Sequence, residues 1–185
     1  MRKNLKAKAS ICPLPVLLVG TYDENGTPDV MNAAWGTVCD TAQVAIVLSA
    51  GHKTVKNLLK TGAFTVSLAD SENVVAADYV GVTSANDTPD KWKRTGWHIQ
   101  KSAFVNAPII EELPMTVECK LIKFNEDGIC IGEIVNVSAD EAVLGEDGLI
   151  DAEKLSAITY DPVHHTYIKL GEKVGNAFSD GKKLK

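Results

Sequence analysis

The residues whose types and spacing could do chemistry fall in two short segments. One is Asn32-Ala33-Ala34-Trp35; the other runs from Ser49 to His52-Lys53-Thr54. A helix that begins near Lys53 turns its unpaired backbone N–H groups and the positive end of its dipole outward. Lys53 adds a full positive charge and Thr54 a hydroxyl donor, with Ser49 and His52 beside them. Such a helix start is a natural phosphate cradle. The Asn-Ala-Ala stretch offers small residues that let backbone groups approach a flat polar ligand, and Trp35 offers an aromatic surface. The pattern predicts a nucleotide-like cofactor. The plainer alternatives are an ordinary capped helix and a strand end with a core tryptophan.

Further candidates lie downstream. Lys91 follows Thr88-Pro89-Asp90, a helix start with proline at the first helical position, and leads into Trp92-Lys93-Arg94. It either reaches the ligand or belongs to a solvated basic face. Ser84 and Asn86 could add hydrogen bonds from the preceding loop. Glu133 sits among apolar residues on the face of Ile131 and Val135, where a buried carboxylate needs a lysine partner. Tyr160, His164, His165 and Tyr167 form an aromatic segment in which Tyr167 could neighbour the ligand. Neighbouring histidines on a strand point to opposite faces, so no metal site is expected there.

These residues need positioning elements, and the pattern supplies them. Residues 16–22 and 28–35 read as a hairpin around Asp23-Glu24-Asn25-Gly26, and 44–49 as a buried strand. Residues 53–60 read as a helix ended by Gly62, followed by a strand over 63–68. A second helix capped by Asp70 or Ser71 runs to about Tyr79. Residues 115–124 and 129–137 make the clearest hairpin, turning at 125–128. Residues 140–155 read as an acidic surface excursion or short helix. Val174, Ala177 and Phe178 have helical spacing, which predicts a C-terminal helix over 171–181. Strand–helix alternation stops after Leu68, so the fold expected is mainly β with inserted helices: an antiparallel barrel rather than a parallel doubly wound sheet.

Composition sets the outer bounds. The 185 residues suit one domain, with 1–10 and 180–185 as flexible ends. A net charge of −5 disfavours nucleic acid and anionic membrane as partners. Pro13 and Pro15 interrupt the apolar run 11–20, which reads as a core strand rather than a leader. The four cysteines show no metal spacing and fit a reduced, cytoplasmic setting, with Cys119 and Cys130 as buried thiols across the hairpin.

In this order, several pieces resemble the flavin reductase-like family of FMN-binding split barrels, close to its flavoredoxin branch. They are Pro-Leu-Pro-Val-Leu-Leu-Val-Gly-Thr at 13–21, Met-Asn-Ala-Ala-Trp at 31–35, His-Lys-Thr at 52–54 and Thr-Gly-Ala-Phe-Thr-Val at 61–66. Asp-Lys-Trp at 90–92, Ala-Pro-Ile-Ile-Glu-Glu at 107–112, Gly-Glu-Ile-Val at 132–135 and Leu-Gly-Glu-Lys-Val-Gly at 170–175 complete the set. The resemblance implies a split β-barrel, a homodimer, and one FMN per subunit reduced by NADH or NADPH. It places Asn32, Ala33, Ala34 and Trp35 beside the flavin ring. It also brings Lys91 toward the flavin and makes 160–167 an aromatic cover over it. Ser138 stands near where some members carry a histidine. The chemistry would be the cofactor's, so no acid–base catalytic side chain is expected. The alternative within the same resemblance is an electron carrier whose FMN is reduced by a protein partner.

Overall fold

The computed structural model describes residues 1–184. Lys185, the last of the residues expected in a flexible end, lies outside the described residues. The strands are β1 (Leu14–Pro15), β2 (Leu17–Tyr22), β3 (Pro28–Ala33), β4 (Gly36–Asp40), β5 (Gln43–Val47) and β6 (Ala63–Leu68). They continue with β7 (Ile99–Lys101), β8 (Pro108–Ile110), β9 (Met115–Phe124), β10 (Ile129–Ala139), β11 (Ile158–Asp161) and β12 (Thr166–Lys169). The helices are α1 (Lys53–Thr61), α2 (Val74–Val82) and the single turn α3 (Ala152–Leu155).

Seven strands form one antiparallel sheet in the order β3-β2-β6-β9-β10-β5-β4, curled into a half-barrel. Phe64, Ile46, Val55 and Leu58 fill its interior. The expected fold class is the observed one: mainly β, a split barrel with inserted helices. The first hairpin shows why the sequence folds this way. Asp23 Oδ1 accepts the backbone N–H groups of Asn25 and Thr27 at 2.9 and 2.8 Å, and Gly26 supplies the left-handed residue at φ 80°. That turn fixes the register in which Leu17 faces Ala33 and Leu18 faces Asn32. With side chains alternating across the sheet, Ala33 joins the barrel core while Asn32 points to the other face.

α1 buries Thr54, Val55, Asn57 and Leu58, and it ends at Gly62 in the left-handed region with its N–H bonded to the Leu58 carbonyl at 2.9 Å. α2 begins later than expected, with Asn73 as its N-cap, because Asp70 instead accepts the N–H groups of Glu72 and Asn73 in a turn. Its other face meets a second cluster containing Val16, Val30, Trp97 and Ile110.

Four expectations fail. Residues 171–181 form no long helix; a 3-10 turn occupies Asp180–Leu184, and Val174 and Phe178 stand 98% and 99% exposed. Their spacing is helical, but nothing packs on the stripe, and packing is what holds a short helix. Glu133 is solvent-exposed, so it needs no burial partner. The buried carboxylate of this hairpin is Glu118 instead. His164 and His165 lie in the turn between β11 and β12 rather than on a strand. The strand expected over 28–35 ends at Ala33, and β4, which the pattern does not predict, follows at Gly36–Asp40. Cys119 and Cys130 are buried free thiols, with burial pushing both up to about 12, while Cys12 and Cys39 are exposed. Among the described residues, no helix is long and apolar enough to cross a membrane.

Candidate functional site

The N-terminus of α1 opens onto a cavity of about 190 Å³ lined by Asp29, Asn32, His52, Lys53, Thr54, Ser84 and Lys91, among others. His52, the N-cap, makes no side-chain capping bond, and no acidic residue stands in the first turn. The first intrahelical bond runs from Lys56 N–H to the His52 carbonyl, which leaves the N–H groups of Lys53, Thr54 and Val55 without a partner inside the helix. An anion would satisfy them and meet the helix dipole favourably. The Lys53 ammonium lies 3.8 Å from Asp23 and stays partly exposed at the rim. Asp23 is held below the usual carboxylate range: partial burial opposes ionisation, and backbone donors from Thr27 and Asn25 together with Lys53 outweigh it. The loop after α2 closes the other side. Asn86 donates to the Gly51 carbonyl at 3.1 Å and accepts from Lys56 at 2.8 Å, and Ser84 Oγ accepts the Asn86 N–H at 3.1 Å.

A second cavity of about 410 Å³ adjoins the first, sharing Asn32, Gly81 and Val82, and adds Ala34, Asp78, Tyr160, His165 and Tyr167. α2 is its wall. Asn32 on β3 donates to the Ala77 carbonyl at 3.1 Å, and Tyr167 on β12 donates to Asp78 at 2.8 Å. Burial and the Asp78 carboxylate together push the Tyr167 phenol up to about 12, so it stays protonated and donating. Gly81 lets α2 approach β3 closely: a Cβ there would sit 3.0 Å from the Asn32 Cβ. His165 takes a left-handed backbone at φ 56° and its Nδ1 pairs with the Tyr160 hydroxyl at 2.7 Å. His164 turns instead to Asp161, 2.6 Å away. The two histidines therefore diverge, and no group of ligating side chains with metal geometry occurs among the described residues.

Beneath the first cavity lies a buried polar cluster. Asp29 and Thr54 are 3% and 2% exposed, and the Thr54 hydroxyl donates to Asp29 Oδ2 at 2.5 Å. Lys91, also 2% exposed, donates to the Val80 and Thr83 carbonyls at 2.7 and 2.8 Å. Its ammonium stands 3.8 Å from Asp29 Oδ1, an oxygen with no hydrogen-bond donor among the described residues. Burial pushes the Lys91 ammonium down, and Asp29 works against that shift.

The structure thus brings together Asn32, His52, Lys53, Thr54, Ser84 and Lys91 around the first cavity, and Asn32, Ala34 and Tyr167 around the second. It does not bring in three others. Ala33 faces the barrel core. Trp35 is 59% exposed and lines neither cavity. Ser49 is exposed, and its carbonyl accepts the His52 N–H at 3.0 Å. The Thr54 hydroxyl, expected as a free donor, is committed to Asp29, and of the two readings open for Lys91 the solvated basic face fails because Lys91 is buried. Sequence reasoning missed Asp29, Asp78 and Gly81. A charged residue inside an apolar strand was the signal for Asp29.

The family described as Flavin reductase like domain matches residues 9–159. The chain belongs to that family. Among solved flavin reductase-like proteins it resembles the flavoredoxin of Desulfovibrio vulgaris (Miyazaki F), with 37% identity, 98% of this chain and 100% of that one covered, and a TM-score of 0.94. A flavoredoxin from Methanosarcina acetivorans shares the fold at 21% identity, with full coverage of both chains and a TM-score of 0.89. The nitrilotriacetate monooxygenase component B from Bacillus cereus shares it at 21% identity, with 95% and 98% covered and a TM-score of 0.79. Within this family fold, the first cavity lies where β3, α1 and α2 converge, and the second between β3, α2 and the β11–β12 hairpin.

Proposed function

We propose that the chain binds FMN and works as an oxidoreductase that takes a hydride from NADH or NADPH and passes electrons to an acceptor. The observation that carries this reading is the uncapped N-terminus of α1 with Lys53 at its rim, opening onto the first cavity, which adjoins the second. The residues fit the group. Lys53 and the first-turn N–H groups would hold the phosphate, and Asn32, Ala34 and the α2 wall would border the ring. Cavities of this size lie near the range of ~300–1,000 Å³ typical of small-molecule sites. When bound, FMN supplies the two-electron redox chemistry; the protein supplies binding, orientation and electrostatics. Tyr167, kept protonated beside Asp78, offers the cavity a fixed polar edge rather than a titrating one. The reading extends to a homodimer, which the fully exposed Val174 and Phe178 support as contacts for a second copy.

A second reading is favoured by the 37% identity with a flavoredoxin: an electron carrier whose flavin is reduced by a protein partner. One measurement separates the two. Visible absorbance of the purified protein is recorded before and after anaerobic NADH or NADPH. Bleaching by either nucleotide is expected from the enzyme and names its donor. Bleaching by dithionite alone identifies the carrier, and failure to retain added FMN overturns both.

A further inference from the structure

We propose that Thr54, Asp29 and Lys91 form a buried positioning network that holds α1, β3 and α2 together as one frame around the whole site, and that none of the three side chains contacts the ligand. The proposal rests on the FMN reading above and assigns residues within that site. Each of the three belongs to a different element: Thr54 to the first turn of α1, Asp29 to β3, and Lys91 to the 3-10 turn Lys91–Thr95. All three are at most 3% exposed, although each lines the cavity.

The donor count argues against ligand contact. A threonine hydroxyl carries one proton, and that of Thr54 lies on Asp29 Oδ2 at 2.5 Å. Turning it toward a phosphate would strip a buried carboxylate of its only hydrogen bond among the described residues. The Lys91 ammonium has three protons, and two are spent on the Val80 and Thr83 carbonyls. Those carbonyls belong to the C-terminal end of α2, which has no basic residue of its own in its last turn. Lys91 therefore supplies the cation that this helix end lacks.

The network also explains how α2 holds its place. Its sequence, Val-Val-Ala-Ala-Asp-Tyr-Val-Gly-Val, contains four valines and one glycine, a poor helix former in isolation. The bonds from Lys91 fix the same end of α2 that carries Gly81 against Asn32. Asp29 stands three residues before Asn32 on β3, so one carboxylate anchors the strand to both helices bordering the site. Pairing with Lys91 also offsets the negative charge that Asp29 would otherwise place beside a bound phosphate.

Riboflavin lacks only the phosphate of FMN, so the ratio of the two dissociation constants separates contact from positioning. It is measured by fluorescence titration for the wild type, Lys53→Ala, Lys91→Met, Thr54→Val and Thr54→Ser. Lys53→Ala is expected to weaken FMN alone. Lys91→Met and Thr54→Val are expected to weaken both flavins by a common factor of about 10, leaving the ratio unchanged. Thr54→Ser, which keeps the hydroxyl, is expected to bind as the wild type does. A ratio that collapses in Lys91→Met or Thr54→Val, or affinities that do not move, overturns the network. If Lys91→Met does not fold, Thr54→Val carries the same comparison. A wild type that binds neither flavin defeats the FMN reading alone. The network is then read by amide hydrogen exchange in the ligand-free chain, using Lys91→Met or the double variant Asp29→Asn/Lys91→Met. Faster exchange at Gly81, Val82 and Thr83 supports it, and unchanged exchange there overturns it.

Discussion

Four carboxylates are buried among the described residues, and two of them, Glu118 and Asp29, are treated in opposite ways. Glu118, on β9, is 1% exposed and satisfied by neutral donors: Ser102 Oγ bonds one oxygen and Asn136 Nδ2 the other at 2.6 Å. Ser102 in turn accepts the N–H groups of Phe104 and Val105, both at 2.9 Å, so the cluster staples a loop to the sheet and is complete. Asp29, on β3, has one hydrogen bond, one oxygen without a donor, and a cation 3.8 Å away that gives two of its three protons to the Val80 and Thr83 carbonyls. Completed networks specify structure; an incomplete one beside a cavity marks where a fold accepts cost for function. Satisfaction, more than burial, separates the two.

The largest effect that can break this comparison belongs to Glu118. Truncation in Glu118→Ala leaves Ser102 and Asn136 without acceptors inside the protein, and unfolding stability should fall by about 3 kcal/mol in urea denaturation. Flavin affinity of the folded protein should stay within about twofold of the wild type, since Glu118 lies outside both cavities. Unchanged stability would mean that the satisfied cluster contributes nothing and that the contrast with Asp29 is empty.

A smaller effect of opposite kind is expected at the rim of the cradle. Lys53 is partly exposed and pairs with Asp23 only at 3.8 Å, so its loss should cost little stability. A charged donor on a phosphate is a different matter: FMN affinity of Lys53→Ala should fall about 10-fold or more. Thermal melting without flavin and titration with flavin check the two halves separately. A melting point that drops with affinity untouched would move Lys53 from the ligand side of the comparison to the structural side.

The sequence disclosed the barrel better than it disclosed the site's supports, and the reason is physical. β6 and β9 were legible to the residue because period-two alternation and the stops at Gly62 and Asn125-Glu126-Asp127-Gly128 are local signals. The α1 cradle was legible for the same reason, since capping chemistry lies within a few residues. Asn32 and Lys53 could be named, yet the partner of Thr54 could not. Asp29 lies 25 residues earlier in the chain, and only the register of β2 on β3 with α1 above brings the two together. Lys91 shows the same limit: its neighbours Lys93 and Arg94 suggest a wet basic face, and only tertiary packing drops it onto the end of α2. Helical spacing at Val174 and Phe178 misled because no partner surface within the chain covers that stripe.

The gentlest test takes the comparison to its solvent-exposed limit, where a carboxylate meets a cation in water. Glu112 accepts the His98 backbone N–H at 2.9 Å and faces the His98 ring nitrogen at 2.6 Å, with His98 on the surface. The hydrogen bond to Glu112, with its charge, raises the imidazole above its ordinary 6.5. Partial burial opposes ionisation of Glu112, but the bonds from His98 outweigh it and hold the carboxyl below 4.5. The sign follows from linkage. A raised histidine contributes stability that is full below 6.5 and lost as pH climbs through its folded value; a lowered glutamate contributes above 4.5 and loses it as pH falls. The pair therefore helps most between about 4.5 and 6.5, and weakly, because water and salt screen it. NMR titration of the His98 ring should give a midpoint above 6.5 that returns toward 6.5 in Glu112→Gln. A midpoint that ignores the substitution would show that the ion pair does not persist in solution, and that the comparison holds only for the buried carboxylates.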